Sequence, residues 1–396
     1  MTGGFRKNLS RRHLFRGSLL AGATLLAGFE KIAWPKSPET STKDPLAGGQ
    51  QLGVIDFSGE APVPMETGFG AGLDGRRYTD LSKLTPQKRV TPTESFYVRT
   101  RASELLEEQK RWAVRVSGLV AQPFDLAIDD LKTRSKPIGV HLMECAGNAR
   151  SVHFGMLSVA DWAGMPLLEI LDNAKVKEQG TRVLVSGFDN YTTKSMSSLP
   201  GASWIFARED LKSTRAFLAT EMNGSPLTKD HGAPVRLVVP GWYGCACIKW
   251  VNEITVVQEA AEASSQMQEF AARTQQRGVP KLARDFEPAT MDQAAMPIRI
   301  EKWVVDGRIQ YRIFGILWGG SRAVNALEIR FNPDQDYVAV DSFEQKGNDP
   351  WSFWTHTWSP QQPGTYMIRL RVKDPQVSAR RMDAGYYMRT VEITEV

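Results

Sequence analysis

The chain has 396 residues, more than one domain usually holds, so two or more folded units are expected. Its 42% hydrophobic and 23% charged residues are typical of a globular protein and exclude a collagen-like, largely disordered or multi-span membrane protein. Basic residues outnumber acidic ones by 49 to 44, but the excess lies in residues 1–36, so nucleic acid is not an expected partner of the nearly neutral remainder. Three cysteines are too few for a disulfide framework, and the sequence has no Cys-x-x-Cys-His motif for a c-type haem.

Residues 1–36 have the pattern of a twin-arginine signal peptide. Arg11 and Arg12 precede a short, weakly apolar stretch at 17–28. That stretch is shorter than the roughly 20 residues that cross a membrane, and the alternatives are a signal-anchor or a buried N-terminal helix. Because the twin-arginine translocase carries folded proteins, the pattern predicts a periplasmic protein whose cofactor is inserted before export.

The first part of the body changes from an extended arm to a folded domain. Residues 37–90, rich in Gly and Pro, are expected to form an arm over the next domain, which spans 91–258. Its predicted elements are, in chain order, a strand at 112–118, amphipathic segments opening at Asp129 and at Asp161, a helix at 167–171, and strands at 183–185 and 235–239. These patterns predict an α+β domain.

The last part of the chain has the pattern of a β-sandwich. Residues 259–290, with Ala, Glu and Gln runs broken by Pro280 and Pro288, are predicted to be a connector to a second domain at 291–396. Strands of alternating residues are predicted there at 298–300, 310–313, 327–331, 354–358, 366–372 and 390–393. Turn signals separate them, which favours a sandwich.

Two segments carry residue types suited to chemistry. Residues 144–150 read Glu-Cys-Ala-Gly-Asn-Ala-Arg, where nearby positive charge favours the thiolate of Cys145, although an inert buried thiol is the alternative. In the second segment, His231, Arg236 and Lys249 flank glycine-rich turns. Such an arrangement can hold a phosphate through charge-assisted hydrogen bonds.

Together these segments resemble the sulfite oxidase family of molybdenum–pterin enzymes. In that family the cysteine of Cys-Ala-Gly-Asn ligates molybdenum, and a Met-Asn-Gly-x-Pro-Leu-x-x-Asp-His-Gly-x-Pro-x-Arg run, here 222–236, helps to bind the pyranopterin. The resemblance covers 91–258. It implies a mixed α/β molybdopterin-binding domain, followed by an immunoglobulin-like dimerisation domain whose clearest segment is 315–324.

The resemblance implies roles for residues around the cofactor. Cys145 is the implied thiolate ligand, and the pterin dithiolene would supply two more sulfurs to a metal that favours soft ligands. His231 and Arg236 are implied cofactor contacts, while Lys249 and the backbone at Cys247 close over the pterin phosphate.

It also implies arginines around the substrate. Arg99, in a Phe-x-Val-Arg segment, is the implied anion-binding arginine, and Arg150 is implied in the substrate pocket. For each of them a structural salt bridge is the alternative. Arg101 stands where the family has a cofactor-contacting histidine, so it is expected at the cofactor.

Three further positions depart from the family pattern. Phe270 stands at the spacing of a tyrosine near the substrate, and the tail at 383–389 offers no evident counterpart to a C-terminal arginine that reaches the pocket in animal members. His153 either replaces part of the pocket chemistry or is a satisfied structural histidine.

Other reactive residue types have structural interpretations. Cys245, like Cys247, is expected to be a buried inert thiol, because neither has further ligands at zinc spacing. His141 and His356 are expected to be core or surface residues, and the tryptophans at 351, 354 and 358 are expected in the sandwich core or a subunit interface.

The implied function is oxygen-atom transfer at one molybdenum–molybdopterin site. Sulfite is the leading substrate, with a sulfane-sulfur donor or another small oxyanion as alternatives. The chain itself is expected to carry no haem, to pass electrons to a separate cytochrome c or similar acceptor, and to form a homodimer. Reduction of an S-oxide or N-oxide is the rival enzyme hypothesis, supported by Phe270 and the missing C-terminal arginine. The second rival hypothesis is a non-catalytic binding protein that kept the fold but lost the metal.

Overall fold

A computed structural model describes residues 44–396 except 61–65, 69–71, 109–110, 193–200 and 345–349. The predicted signal peptide at 1–36 lies outside the described residues. The described chain from Pro45 onwards forms one compact unit. Within it, no helix is long and apolar enough to cross a membrane.

Strands dominate the described part of the chain. In chain order they are β1 (Gln50–Ile55), β2 (Glu66–Gly68), β3 (Gly75–Arg77), β4 (Ala113–Gly118), β5 (Phe124–Ala127), β6 (Lys136–Glu144), β7 (Leu157–Pro166), β8 (Arg182–Gly187), β9 (Ser203–Ala207), β10 (Phe217–Met222), β11 (Ser225–Pro226), β12 (Arg236–Val238), β13 (Val251–Val257), β14 (Ala294–Val305), β15 (Arg308–Trp318), β16 (Leu327–Arg330), β17 (Val338–Ala339), β18 (Ser342–Phe343), β19 (Ser352–Trp358), β20 (Gly364–Val372) and β21 (Arg389–Ile393).

The α-helices are short. They are α1 (Ile128–Arg134), α2 (Leu167–Ala174), α3 (Arg208–Ser213), α4 (Ser265–Phe270) and α5 (Arg380–Asp383). Helix α2 shows why such a segment is helical: it begins directly after Pro166, and four apolar residues at helical spacing between Leu167 and Ala174 are buried. It ends where Lys175 adopts a left-handed conformation with φ of 54°.

Two sheets build the first part of the body. One has the order β11-β10-β7-β6, with β12 also paired to β10, and is antiparallel throughout. The other has the order β5-β4-β13-β8-β9 and is mixed, because β4 and β13 are parallel while the neighbouring pairs are antiparallel. These sheets with a few short helices confirm the α+β class. Strand β6 runs from an exposed start to a buried end at Glu144, so the chain enters the interior at Cys145.

Two antiparallel sheets build the last part. Their orders are β1-β14-β15-β19-β18 and β17-β16-β20-β21. All six strands predicted there from alternation coincide with strands of the structure. Trp351, Trp354 and Trp358 are buried, and Trp358 stacks on Phe331 with ring centroids 4.1 Å apart, so these tryptophans belong to the core as expected.

Two sequence predictions need correction. Asp161 and Trp162 do not open an amphipathic segment but lie within β7, because β6 and β10 pair with this stretch on both sides. The arm does not lie on the neighbouring domain alone. Residues 50–55 form β1, which pairs antiparallel with β14 of the C-terminal sheet.

Candidate active site

The thiol of Cys145 lies at the wall of a buried cavity. The chain turns directly after β6: the amide of Asn148 donates to the carbonyl of Cys145 at 2.9 Å, and the amide of Cys145 donates to the carbonyl of Met156 at 3.0 Å. The Sγ of Cys145 accepts the amide of Gly147 at 3.4 Å. The thiol is free and buried.

Six segments distant in sequence surround this cavity. Its lining includes residues of 96–100, Met143 and Cys145, then Asp189, Tyr191 and Ala202, residues of 230–236, residues of 244–250, and Gln266, Glu269 and Phe270. The structure therefore brings Cys145 together with the predicted residues Arg99, His231, Arg236, Cys247 and Lys249. The stretch at 259–290 is more than a connector, because α4 within it forms part of the wall.

His231 supports the cavity wall as a neutral side chain. Its Nδ1 lies 2.7 Å from the hydroxyl of Thr228, and its Nε2 lies 3.2 Å from the carbonyl of Phe96. A carbonyl only accepts, so Nε2 carries the proton and Nδ1 accepts from Thr228. Burial lowers the pKa of His231 to about 4, although the bond to Phe96 opposes the shift. Both nitrogens are engaged, so His231 positions Phe96 and the 228–232 turn.

Arg236 places a buried cation in the wall. Its Nη1 donates to the carbonyl of His231 at 3.1 Å, and its Nη2 donates to the carbonyl of Cys247 at 3.3 Å. Its Nε is buried and has no hydrogen-bond partner in the described part of the chain. Burial lowers the pKa of Arg236. A buried cation with an unused donor favours an anionic ligand, because an unmatched buried donor is costly.

Lys249 adds a second cation. Its Nζ donates to the carbonyl of Thr100 and, at 2.9 Å, to that of Asp230. Burial, with repulsion by Arg236, lowers the pKa of Lys249 from 10.5 to about 7. Gly232 allows this close packing, since a Cβ there would lie 2.9 Å from the Cβ of Arg236 and 3.2 Å from that of Lys249.

Lys249 predicts a pH dependence of the cofactor-free protein. Because its pKa is about 7 in the folded chain and near 10.5 when unfolded, the unfolded chain binds more protons between these values. Burial of Lys249 therefore lowers the free energy of unfolding by its full amount below pH 7, and this loss disappears as the pH rises towards 10.5. We therefore expect the melting temperature of the wild type to rise relative to that of Lys249→Met between pH 7 and 10.

Thermal melts of both chains, made without cofactor, check this expectation. Lys83→Met is the matched control, because the Lys83 side chain is 81% exposed. Its melting temperature should run parallel to that of the wild type across the same pH range. A constant difference between wild type and Lys249→Met would contradict the lowered pKa.

A second, cationic cavity adjoins the Cys145 loop, which we define as residues 144–148. Arg99 lines both cavities, and the second is also lined by Gly147, Arg273, Arg380 and Arg381. A Cβ at Gly147 would lie 3.8 Å from both Nη1 of Arg273 and Sγ of Cys145, so the arginine approaches the thiol side of the loop. The sequence prediction missed Arg273 and Arg381, because nothing near them in the chain marks them as site residues.

Arg381 corrects the expectation that no C-terminal arginine reaches the site. Its Nη2 donates to the carbonyls of Ala146 at 3.0 Å and Arg273 at 2.6 Å. Its Nη1 is buried without a hydrogen-bond partner among the described residues. The shortened tail still places an arginine at the site, because α5, which contains Arg381, packs directly against the Cys145 loop.

Three sequence-predicted residues lie outside the cavity of Cys145. Arg101 forms an ion pair with Glu66 at 3.6 Å and does not line that cavity. Arg150 donates to the carbonyl of Met388 and is likewise absent from the lining. Nε2 of His153 lies 3.9 Å from Glu60, which also pairs with Arg389. The structure therefore does not bring Arg101, Arg150 or His153 together with Cys145.

Phe270 and the remaining cysteines line the cavity. The guanidinium of Arg273 lies over the Phe270 ring, with its Cζ 5.1 Å from the ring centroid. Cys245 and Cys247 are buried free thiols, and burial raises the pKa of each. Their thiols are therefore neutral, which agrees with the expectation that they are inert.

The cavity residues fit a phosphate-bearing pterin that carries a soft metal. Cys145 offers one soft donor, Arg236 offers an unused buried N–H, and Lys249 offers an ammonium nearby. The absence of a side chain at Gly244 allows the backbone there to lie close to Tyr97 in the cavity wall, since a Cβ would lie 2.6 Å from the hydroxyl of Tyr97. The donor set therefore combines a metal ligand with an anion site.

Comparisons with known proteins find molybdopterin-binding relatives. Residues 102–265 match the family described as the oxidoreductase molybdopterin binding domain. Mitochondrial sulfite oxidase of Macaca fascicularis is 26% identical over 326 residues, which cover 77% of this chain and 58% of the relative. The NADPH nitrate reductase of Fusarium oxysporum is 24% identical over 292 residues, covering 61% of this chain and 32% of the relative. The chain thus spans little more than half of the sulfite oxidase.

A solved structure shows the same fold. The sulfane dehydrogenase SoxCD of Paracoccus pantotrophus matches with a TM-score of 0.58 and 18% sequence identity. The match covers 91% of this chain and 98% of that chain, so the shared fold extends over both the first two sheets and the C-terminal sheets.

Proposed function

We propose that this chain, which belongs to the sulfite oxidase family of molybdenum–pterin oxidoreductases, transfers an oxygen atom to sulfite or a related sulfur oxyanion. One observation carries the proposal. The buried thiol of Cys145 lines a cavity with Arg236 and Lys249, and its loop adjoins a cationic cavity with Arg273 and Arg381. One cavity suits an anionic cofactor, and the other suits an anionic substrate.

The first cavity would hold molybdenum–molybdopterin. Cys145 would be the protein ligand to the metal, and Arg236, Lys249 and the backbone at Cys247 would hold the pterin phosphate. When bound, this cofactor supplies a metal centre that changes oxidation state and transfers an oxygen atom. The neutral imidazole of His231 keeps the 228–232 turn and Phe96 in place. Phosphate binding would favour the protonated form of Lys249.

The second cavity would bind the substrate anion. Arg99, Arg273 and Arg381 line it on one side of the Cys145 loop. Cations held by the fold before substrate arrives stabilise negative charge without reorganising during the reaction.

The setting of the enzyme is part of the proposal. The twin-arginine pattern at 1–36 supports export to the periplasm, and the lack of a c-type haem motif supports a separate cytochrome c as electron acceptor. The two C-terminal sheets support an immunoglobulin-like domain at 291–396. The family resemblance implies that the homodimer forms through this domain.

Reduction of an S-oxide or N-oxide has weaker support. Phe270, the first argument for this function, lines the Cys145 cavity and not the second, cationic cavity proposed for the substrate. The second argument for this function, the missing C-terminal arginine, is removed by the position of Arg381. Oxidation of an anion is therefore the preferred direction.

An absorption spectrum tests the proposed function. Air-oxidised protein produced with molybdenum is expected to show sulfur-to-metal charge-transfer bands, which bleach on anaerobic addition of sulfite. Sulfate added instead is the control and should leave the bands unchanged. Bands that persist with sulfite would reject sulfite as the donor, and a panel of sulfoxides with the reduced protein would then test the opposite direction.

A further inference from the structure

A fully buried carboxylate precedes Cys145. Glu144 has no exposed surface, and burial raises its pKa even though Arg381 and three hydrogen bonds oppose the shift. The indole of Trp318 donates to its Oε2 at 2.9 Å, and the hydroxyl of Tyr387 donates to its Oε1 at 3.1 Å. Asn148 donates to the same Oε1 at 3.3 Å. A buried carboxylate is tolerated because such donors replace water.

The same part of the chain also holds the backbone of the Cys145 loop. Arg381 donates to the carbonyl of Ala146 at 3.0 Å, and the hydroxyl of Tyr386 donates to the carbonyl of Asn148. Residues 144, 146 and 148 are therefore each held from outside the loop. Cys145 and Gly147 alternate with them, and the sulfur of Cys145 is left to face the cavity.

These donors come from far along the chain. Trp318 ends β15, while Arg381, Tyr386 and Tyr387 lie in or just after α5. The rings of Trp318 and Tyr387 pack edge to face with centroids 5.1 Å apart, so the two donors to Glu144 support each other. Tyr386 and Tyr387 also make ring contacts with each other at 5.2 Å.

We propose that Trp318 and residues 381–387 form a clamp that fixes the Cys145 loop in the shape needed to ligate the metal, with Glu144 as the positioning residue. The role of Cys145 as ligand rests on the proposed function, but the clamp itself is a property of the protein without cofactor. Positioning residues behind a metal ligand typically change metal affinity by roughly 10- to 100-fold.

Thiol reactivity in the cofactor-free full-length chain tests the clamp directly. Trp318→Phe and Tyr387→Phe each remove one donor to Glu144 and keep an aromatic ring. We expect iodoacetamide to alkylate Cys145 roughly 10-fold faster in the double variant than in the wild type, because the loop opens more often. Peptide mass spectrometry assigns the alkylated cysteine.

Matched variants separate the clamp from general destabilisation. Trp354→Phe and Tyr311→Phe also remove one donor each from buried rings, which donate to the carbonyls of Ile316 and Glu395. They should leave alkylation of Cys145 near the wild-type rate. Cys247, held against Val239, is the internal reference, because global unfolding would expose it together with Cys145.

Substitution of Glu144 supplies a graded test. Glu144→Gln keeps one acceptor oxygen and should give a smaller increase in Cys145 alkylation than Glu144→Ala. In chains produced with molybdenum, we expect the amount of bound metal per chain to be lower in Glu144→Gln than in the wild type, and lowest in Glu144→Ala. Equal alkylation of Cys145 in the wild type, the clamp variants and the controls would overturn the clamp. Faster alkylation in chains that never bind molybdenum would instead support the clamp and reject the proposed function.

Discussion

Replacing Cys145 by serine is expected to abolish the visible charge-transfer bands and to lower turnover by more than roughly 100-fold, because a direct ligand should matter more than the groups that position it. Serine keeps the size of the side chain but replaces a soft thiolate by a hydroxyl that remains protonated near neutral pH. Metal analysis and absorption spectra of the purified variant measure the first effect, and steady-state assays with the substrate measure the second.

Cys245→Ser is the matched control for this substitution. Cys245 lines the same cavity and is buried, but its raised pKa keeps the thiol neutral. The variant should retain its metal, its bands and most of its turnover. If Cys145→Ser kept metal and activity at the level of Cys245→Ser, the assignment of Cys145 as the ligand would be wrong.

Replacing Arg99 by methionine is expected to lower kcat/KM for an anionic substrate by roughly 100-fold. A cation about 4 Å from an anion contributes roughly 4 kcal/mol at an effective dielectric near 20, and the half-buried position of Arg99 reduces that value. The variant should also show a weaker dependence of kcat/KM on salt, because one screened attraction has been removed. Steady-state kinetics at several salt concentrations measure both effects.

Arg115→Met controls for the loss of one positive charge. Arg115 lies on β4 with a side chain that is 70% exposed and pairs with Asp125 at 3.8 Å. Its kinetics should match the wild type at every salt concentration. Arg99→Lys should recover part of the lost kcat/KM, because it restores charge without the planar donor pair. Identical kcat/KM values for Arg99→Met and Arg115→Met would exclude Arg99 from substrate binding.

Local sequence predicted the cofactor side of the site well. The segments around Cys145 and at 222–236 are short, and their glycine turns and charged residues indicate a binding role from the local sequence alone. The structure brings Cys145, His231, Arg236 and Lys249 to one cavity. The strands of the C-terminal part were predicted equally well, because alternation along β20 or β21 reflects burial of one face.

The substrate side could not be predicted in the same way. Nothing in the sequence around Arg273 or Arg381 marks it as a site residue. They meet at the Cys145 loop because the turn after α4 and helix α5 pack there from distant parts of the chain. Conversely, Arg150 is close to Cys145 in sequence, yet a left-handed turn at His153 and the bond to Met388 take it elsewhere. Tertiary packing, which single-sequence patterns do not contain, decides both cases.

Strand β1 makes the order of folding depend on strands that are synthesised much later. It forms the edge of a sheet through β14, and a few residues later the amide of Ser58 donates to the carbonyl of Thr390 in β21. A ribosome releases the segment at 50–58 long before it releases either partner strand. These pairings join residues far apart in sequence, which slows their formation, and the segment at 50–58 can reach its place in the fold only after β14 and β21 have been made.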